Sequence, residues 1–127
     1  MRHTLLLLLI FSFLASSLFA KESIKLGMST ALTGPNQFLG ISMRDGMLQY
    51  FNEVNKQGGI NNREIELIVY DDSYEPQKTK INTKKLLFEH QVLAMVGNVG
   101  TPTAAISYRM VTAEQKIFYA AFSGASL

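Results

Sequence analysis

The chain contains no cysteine and only two histidines, His3 and His90, among its 127 residues. Without cysteine there is no disulfide framework, which an exported domain of this size does not strictly need. The lipid-bearing residue of an ordinary lipoprotein is missing as well, and with so few histidines structural zinc is not expected. An excess of charge of one sign is also lacking. Twelve Lys and Arg stand against 10 Asp and Glu, and the signs intermix, as in Lys78, Lys80, Lys84 and Lys85 beside Glu75 and Glu89. Such mixing belongs to a solvated helix face and leaves no footprint for nucleic acid or an anionic membrane. Chemistry-bearing motifs are missing too. Gly97-Asn98-Val99-Gly100 has neither the spacing nor the third glycine of a dinucleotide fingerprint, and no phosphate-loop lysine motif occurs. No histidine is placed to activate Ser123 as a nucleophile, so no catalytic residue is assigned and an enzyme is not expected.

The N-terminus is where hydrophobicity concentrates. Arg2 and His3 precede an apolar run from Leu5 to Phe11, extended through Phe13, Leu14 and Ala15 and followed by Ser16-Ser17-Leu18-Phe19-Ala20. This is the layout of a secretory signal peptide cleaved after Ala20, and the uninterrupted run falls well short of the ~20 apolar residues that span a bilayer. Loss of residues 1–20 removes Arg2 and leaves 11 basic against 10 acidic side chains. Residues 21–127 have the length of one domain or of part of a larger one.

Along that remainder the patterns alternate between strand and helix. Ile24 to Thr30 reads as a strand running into the turn-rich Leu32-Thr33-Gly34-Pro35-Asn36. From Phe38 to Lys56 the apolar positions Met43, Met47, Tyr50, Phe51 and Val54 have the spacing of a helix with one buried stripe. Gly58-Gly59 stops it, Asn61-Asn62 suits a tight turn, and Glu64 to Tyr70 is a second strand. Pro76 then opens a helix expected to run to Glu89, with Ile81, Leu86, Leu87 and Phe88 as its apolar positions and His90 favourably placed at its dipole end. Val92 to Gly97 is a continuous apolar run, the pattern of a central strand covered on both faces. Thr101 is a candidate N-cap with Pro102 as first helical residue, the helix continues to Gln115, and Ile117 to Ala121 is a fourth strand.

Strand, helix, strand, helix, strand, helix, strand predicts an α/β fold with a Rossmann-like parallel sheet and flanking helices, its strand order taken as 2-1-3-4. In such sheets the ligand crevice lies beyond the carboxyl ends of the strands where strand order reverses, here between the first and third strands. The flanking loops are Thr33 to Phe38 and Asn98 to Thr101. The second opens a helix whose N–H groups suit a carboxylate. Thr101 reads equally as a hydroxyl offered to that ligand and as a plain N-cap. Asp71-Asp72, at a strand end, reads more readily as a solvated terminus accepting hydrogen bonds than as a metal or acid/base pair.

Taken together, the exported start, Leu32-Thr33-Gly34-Pro35, the Gly58-Gly59-Ile60-Asn61 turn, Val69-Tyr70-Asp71-Asp72, Glu75-Pro76 and the Gly97 to Thr103 loop resemble the leucine/isoleucine/valine-binding family of type I periplasmic binding proteins. The resemblance implies that residues 21–127 are an incomplete N-terminal lobe of a two-lobed receptor. Such a receptor closes on an amino acid of the branched-chain type, or a similar small polar ligand, without a cofactor and delivers it to the membrane permease of an ABC importer. It implies a periplasmic location. By its pattern, Thr101 falls at the hydroxyl position of the third helix, Phe122, Ser123 and Gly124 on the loop after the fourth strand, and Phe38 at the aromatic position of the first loop. Asn61-Asn62 stands where Asn-Gly is common in the family, and Phe122-Ser123-Gly124-Ala125 replaces a small residue followed by threonine. The alternatives are the same fold as an extracytoplasmic sensor read by a kinase or cyclase and, less favoured, an exported hydrolase.

Overall fold

The computed structural model describes residues 21–124; the expected signal peptide, residues 1–20, lies outside them. In chain order the elements are β1 (Ile24–Thr30), α1 (Gln37–Lys56), β2 (Ile65–Asp71), α2 (Pro76–Lys84) continuing into a π-helical turn (Lys85–Glu89), β3 (Ala94–Val96), α3 (Thr101–Ala113) and β4 (Ile117–Tyr119). All strand pairings are parallel and the sheet runs β2-β1-β3-β4, the expected order.

The link between α1 and β2 is built from residue types that tolerate left-handed backbone. Gly58 and Gly59 (φ 98° and 71°) close the helix, their N–H groups donating to the Asn55 and Val54 carbonyls at 3.0 Å each. Asn61 and Asn62 follow at φ 52° and 60° and turn the chain so that the Ile60 N–H reaches the Arg63 carbonyl at 2.8 Å. Asparagine is one of the few L-residues that adopts this conformation readily. Asn55 adds a clamp, its amide pairing with both the N–H (2.7 Å) and the carbonyl (2.9 Å) of Ile65 at the start of β2.

Right-handed crossovers in opposite directions from β1 distribute the helices between two faces. On the α2/α3 face Leu86, Leu87, Val92, Met95 and Val111 form the core, with Ile68, Tyr70, Met110 and Phe118 packed against it. Among the described residues the other face holds α1 alone. The stripe expected on α1 is covered only in part: Gly40 is its one buried residue and Tyr50 is 68% exposed. Beside it an apolar groove of about 500 Å³ is lined by Leu26, Met43, Met47, Phe51, Val96 and Tyr119. Among the described residues no second helix lies over β3 and β4 on this side.

The second helix departs further from expectation. Ile81 and Phe88 face outward, 58% and 52% exposed, while Thr79, Asn82 and Thr83 face the sheet. Polar partners wait beyond β2 and on α3: Thr79 Oγ1 donates to Asp72 (3.0 Å), Asn82 Nδ2 to the Asp71 carbonyl (3.0 Å), and Thr83 Oγ1 meets Ser107 Oγ of α3 (Thr101–Ala113) at 2.9 Å. The π-helical turn, closed by the His90 N–H on the Lys85 carbonyl at 3.0 Å, accommodates an extra residue, and Leu86 and Leu87 are both buried. His90 is at the helix end as expected, and its Nε2 lies 2.8 Å from the Tyr70 hydroxyl. The third and fourth strands are shorter than expected, ending at Val96 and Tyr119.

Candidate functional site

The order reversal between β1 and β3 opens a crevice at the carboxyl ends of those strands, and the loops after β3 and β4 form its floor. They run side by side: the Gly100 N–H donates to the Phe122 carbonyl at 2.9 Å and the Phe122 N–H to the Asn98 carbonyl at 2.7 Å. This parallel bridge between Val99 and Phe122 carries Thr101 and Ser123 to one place, with their hydroxyl oxygens 3.1 Å apart. A cleft of about 110 Å³ there is lined by Leu39, Tyr74, Gly100, Thr101, Phe122 and Ser123, with Val99 and Gly124 completing the wall. A shallower space of about 280 Å³ adjoins it over Leu39, Ser42, Met43 and Phe122.

Of the residues singled out from sequence, Thr101, Phe122, Ser123 and Gly124 therefore meet at one cleft. Phe38 does not line it; its ring is 62% exposed, and the next residue, Leu39, faces the cleft instead. Thr101 is not the N-cap. That position belongs to Gly100 (φ 100°), no side chain caps the helix, and Thr101 already lies in the first turn of α3. Its hydroxyl is directed to Ser123 across the cleft, whereas the hydroxyl of buried Thr103 bonds back to the Val99 and Gly100 carbonyls at 2.6 and 2.9 Å. At this end of α3 the Gly100 N–H is spent on the Phe122 carbonyl and Pro102 has none, so of the first-turn groups only those of Thr101 and the fully buried Thr103 are left without an intrahelical partner, at the positive end of the helix dipole. Hydroxyls, backbone donors and apolar walls together suit a small ligand with an anionic or polar group.

The two aspartates beside this region divide their work. Asp71 accepts from the Leu32 and Ser73 N–H groups at 2.8 Å each and from Thr33 Oγ1 at 2.6 Å, which fixes the loop after β1. Partial burial opposes its charge, but the hydrogen bonds from Thr33, Leu32 and Ser73 outweigh it and bring the carboxyl down to about 2. Asp72 is a fully buried hub and not a solvated terminus, accepting from Ser29 Oγ (2.9 Å), Thr79 Oγ1 (3.0 Å) and the Tyr74 N–H (2.9 Å). Burial raises its pKa, against the pull of those donors and with Asp71 adding repulsion. Among the described residues no group of His, Cys, Asp and Glu is arranged to hold a metal ion, and no helix is long and apolar enough to cross a membrane.

Sequence reasoning missed Leu39 and Tyr74. Leu39 follows a more conspicuous aromatic residue, and Tyr74 sits between two carboxylates and a proline where no periodicity marks an inward position.

Comparison with known proteins agrees with this geometry. Residues 23–126 match a family described as periplasmic binding protein. A leucine-, isoleucine-, valine-, threonine- and alanine-binding protein of Pseudomonas aeruginosa is 32% identical over 85 residues, 67% of this chain and 22% of that protein. A crystal structure of a possible leucine/isoleucine/valine-binding protein from Rhodopirellula baltica superposes with a TM-score of 0.79 at 46% identity, covering 84% of this chain and 29% of that one. The branched-chain amino acid transporter substrate-binding protein of Streptococcus pneumoniae, solved with isoleucine, shares the fold with a TM-score of 0.73 at 24% identity, over 78% and 29% of the two chains. This chain spans between a fifth and a third of the length of these relatives. With the family match running over residues 23–126, the four-stranded order and the paired loops at the switch point, the chain belongs to the type I periplasmic binding proteins, in their leucine/isoleucine/valine-binding branch.

Proposed function

We propose that the cleft between the β3 and β4 loops is one half of a binding site for an amino acid of the branched-chain type, in an exported receptor that serves an ABC importer. The observation that carries the reading is the Thr101 and Ser123 hydroxyl pair at the start of α3, 3.1 Å apart in a cleft with apolar walls. The Thr101 N–H and these hydroxyls receive the ligand carboxylate at the positive end of the α3 dipole, Ser123 and the backbone around Gly124 take the amino group, and Phe122 walls the aliphatic side chain. Phe38 covers the ligand from the first loop when a second lobe closes over it. The name of the Pseudomonas aeruginosa relative supports the ligand class. In this reading residues 1–20 direct export and are removed, and the permease is the membrane partner. The reading is non-enzymatic, in keeping with relatives named for binding.

A two-lobed chimera tests it. The matching segment of the Pseudomonas aeruginosa protein is replaced by that of this chain, and leucine, isoleucine, valine, threonine and alanine are titrated calorimetrically. Micromolar or tighter binding of at least one of them is expected, with Thr101→Ala weakening it about tenfold through loss of a hydrogen bond to a charged group. A folded chimera that binds none of the five overturns the proposal.

A further inference from the structure

Tyr74 lies in no apolar stripe and carries none of the family resemblance, yet its position is among the most constrained in the molecule. It and Ser73 are consecutive non-glycine residues in left-handed backbone, at φ 64° and 51°, a conformation that strains an L-residue unless its surroundings impose it. Here they do. The Ser73 N–H donates to Asp71 Oδ1 at 2.8 Å and the Tyr74 N–H to Asp72 Oδ1 at 2.9 Å. Asp72 is itself fixed from β1 by Ser29 and from α2 by Thr79. The turn is thus anchored to two other elements, and it delivers a tyrosine ring to a defined place.

That place is Gly100. A Cβ built on Gly100 would stand 2.3 Å from Tyr74 Cε2, 2.5 Å from Cζ and 2.8 Å from the hydroxyl oxygen, so the ring occupies the space a side chain would need. Gly100 is the residue from which α3 departs, and its N–H holds the loop after β4 through the Phe122 carbonyl. The ring and the Thr101 and Ser123 hydroxyls line the same cleft.

We propose that Tyr74 is a positioning residue of the ligand half-site: its ring, seated on Gly100, fixes where α3 begins and so where the Thr101 hydroxyl and N–H stand relative to Ser123. This inference rests on the reading of the cleft as an amino-acid half-site. Tyr74 and Gly100 form a size-matched pair. A larger residue at 100 displaces the ring, and a smaller one at 74 leaves the start of α3 without its backing. The ring carries the role, so phenylalanine replaces tyrosine without loss.

The full chain is compared with Tyr74→Phe, Tyr74→Ala, Gly100→Ala and the Tyr74→Ala/Gly100→Ala pair. Urea unfolding measures the steric coupling without ligand. Gly100→Ala is expected to lower the folding constant at least about tenfold more in the parent than in the Tyr74→Ala background, because the backbone strain at position 100 is common to both and cancels in the cycle. Equal losses in the two backgrounds overturn the wedge. Nuclear magnetic resonance at a temperature where each variant is folded then follows the Thr101 and Ser123 amides during titration with millimolar L-leucine. Parent and Tyr74→Phe are expected to respond alike, and Tyr74→Ala to need at least about tenfold more ligand, an effect that global stability does not produce in a folded population. If Tyr74→Phe loses as much as Tyr74→Ala, the hydroxyl touches the ligand itself and the positioning role is wrong. A parent silent toward leucine, isoleucine, valine, threonine and alanine alike, with a coupled cycle, sinks the amino-acid reading and not the wedge; a responsive parent with an uncoupled cycle sinks the wedge and not the reading.

Discussion

Two adjacent carboxylates, Asp71 and Asp72, show how far one position along a chain can change the physics of the same side chain. Asp71 titrates below its ordinary 3.8, at about 2, so it contributes stability that is present above the unfolded value and is lost as pH falls through about 2. Asp72 is raised, so its contribution has the opposite sign, full below 3.8 and lost as pH rises through its folded value. Acidification from neutrality is therefore expected to raise the urea midpoint first, through Asp72, and to lower it below about pH 4, through Asp71. Asp71→Asn is expected to shallow the acid fall, costing about 1–2 kcal/mol at neutral pH after allowance for solvent screening. Asp72→Asn should flatten the rise between neutrality and about pH 4. Its cost should be only about 1 kcal/mol, because the Ser29 and Thr79 hydroxyls can turn to accept from the new amide, whereas Asp72→Ala strands the Ser29 hydroxyl and the Tyr74 N–H, leaves Thr79 only the Glu75 carbonyl at 3.0 Å, and should cost about 3 kcal/mol. Urea titrations of the three variants across that pH range check this, and a rise that survives in Asp72→Asn would show that Asp72 is not its source.

At the scale of the element, α1 carries two glycines with opposite prospects. Gly40 faces the end of β1 so closely that a Cβ would stand 2.0 Å from the Ala31 carbonyl oxygen. Gly40→Ala must push the helix off the sheet and is expected to cost about 3 kcal/mol or more, the scale of an overpacked core. Gly46 has nothing within 4 Å of the same construction, so Gly46→Ala should stabilise the chain by about 0.5–1 kcal/mol through helix propensity alone. Thermal unfolding of the two variants should move in opposite directions. The helix itself was legible from the spacing of Met43, Met47, Phe51 and Val54, and its stop from Gly58-Gly59, because these signals are local. Periodicity was also enough to place β1 and β2 within a residue, while the strand order was supposed from the doubly wound architecture and agrees with the observed β2-β1-β3-β4. It misled on α2, where Thr79, Asn82 and Thr83 face inward and Ile81 outward. A hydrophobic stripe presumes an apolar floor, and beneath α2 the floor is the buried Asp72 with Ser29, partners separated from the helix by up to 53 residues of sequence. In the cleft, Thr101 was readable because a strand end, turn residues and proline mark the start of a helix, whereas Ser123 was placed there only by the family resemblance. Tyr74 was not, since its role arises from a contact with Gly100 that only the tertiary fold creates.

For the whole molecule, the proposed half-site raises the question of what one wall of a cleft can do alone. The floor here offers spaces of about 110 and 280 Å³ that open to solvent, while a site that binds a small molecule well encloses most of the ligand's surface. An amino acid resting on it gains contacts on one side only and still loses its translational and rotational freedom, so the net affinity falls to the millimolar range at best. The relatives that bind such ligands are several times longer, this chain covering 22–29% of those compared. The face beside α1 adds a second consequence. With Tyr50, Ile117 and Tyr119 exposed on the groove side and β4, among the described residues, an edge strand of three residues, the described part of the chain presents apolar surface and strand backbone that invite association. Calorimetric titration of the full chain with leucine, isoleucine, valine, threonine and alanine should give no saturable heat at micromolar ligand. A dye that fluoresces on apolar surface should bind to it, and a Tyr119→Lys variant should bind less dye and remain monomeric at higher concentration. Micromolar binding of any of the five, together with one cooperative urea transition, would show that this wall holds its ligand without an opposing lobe, and the half-site reading would have to give way to a complete site.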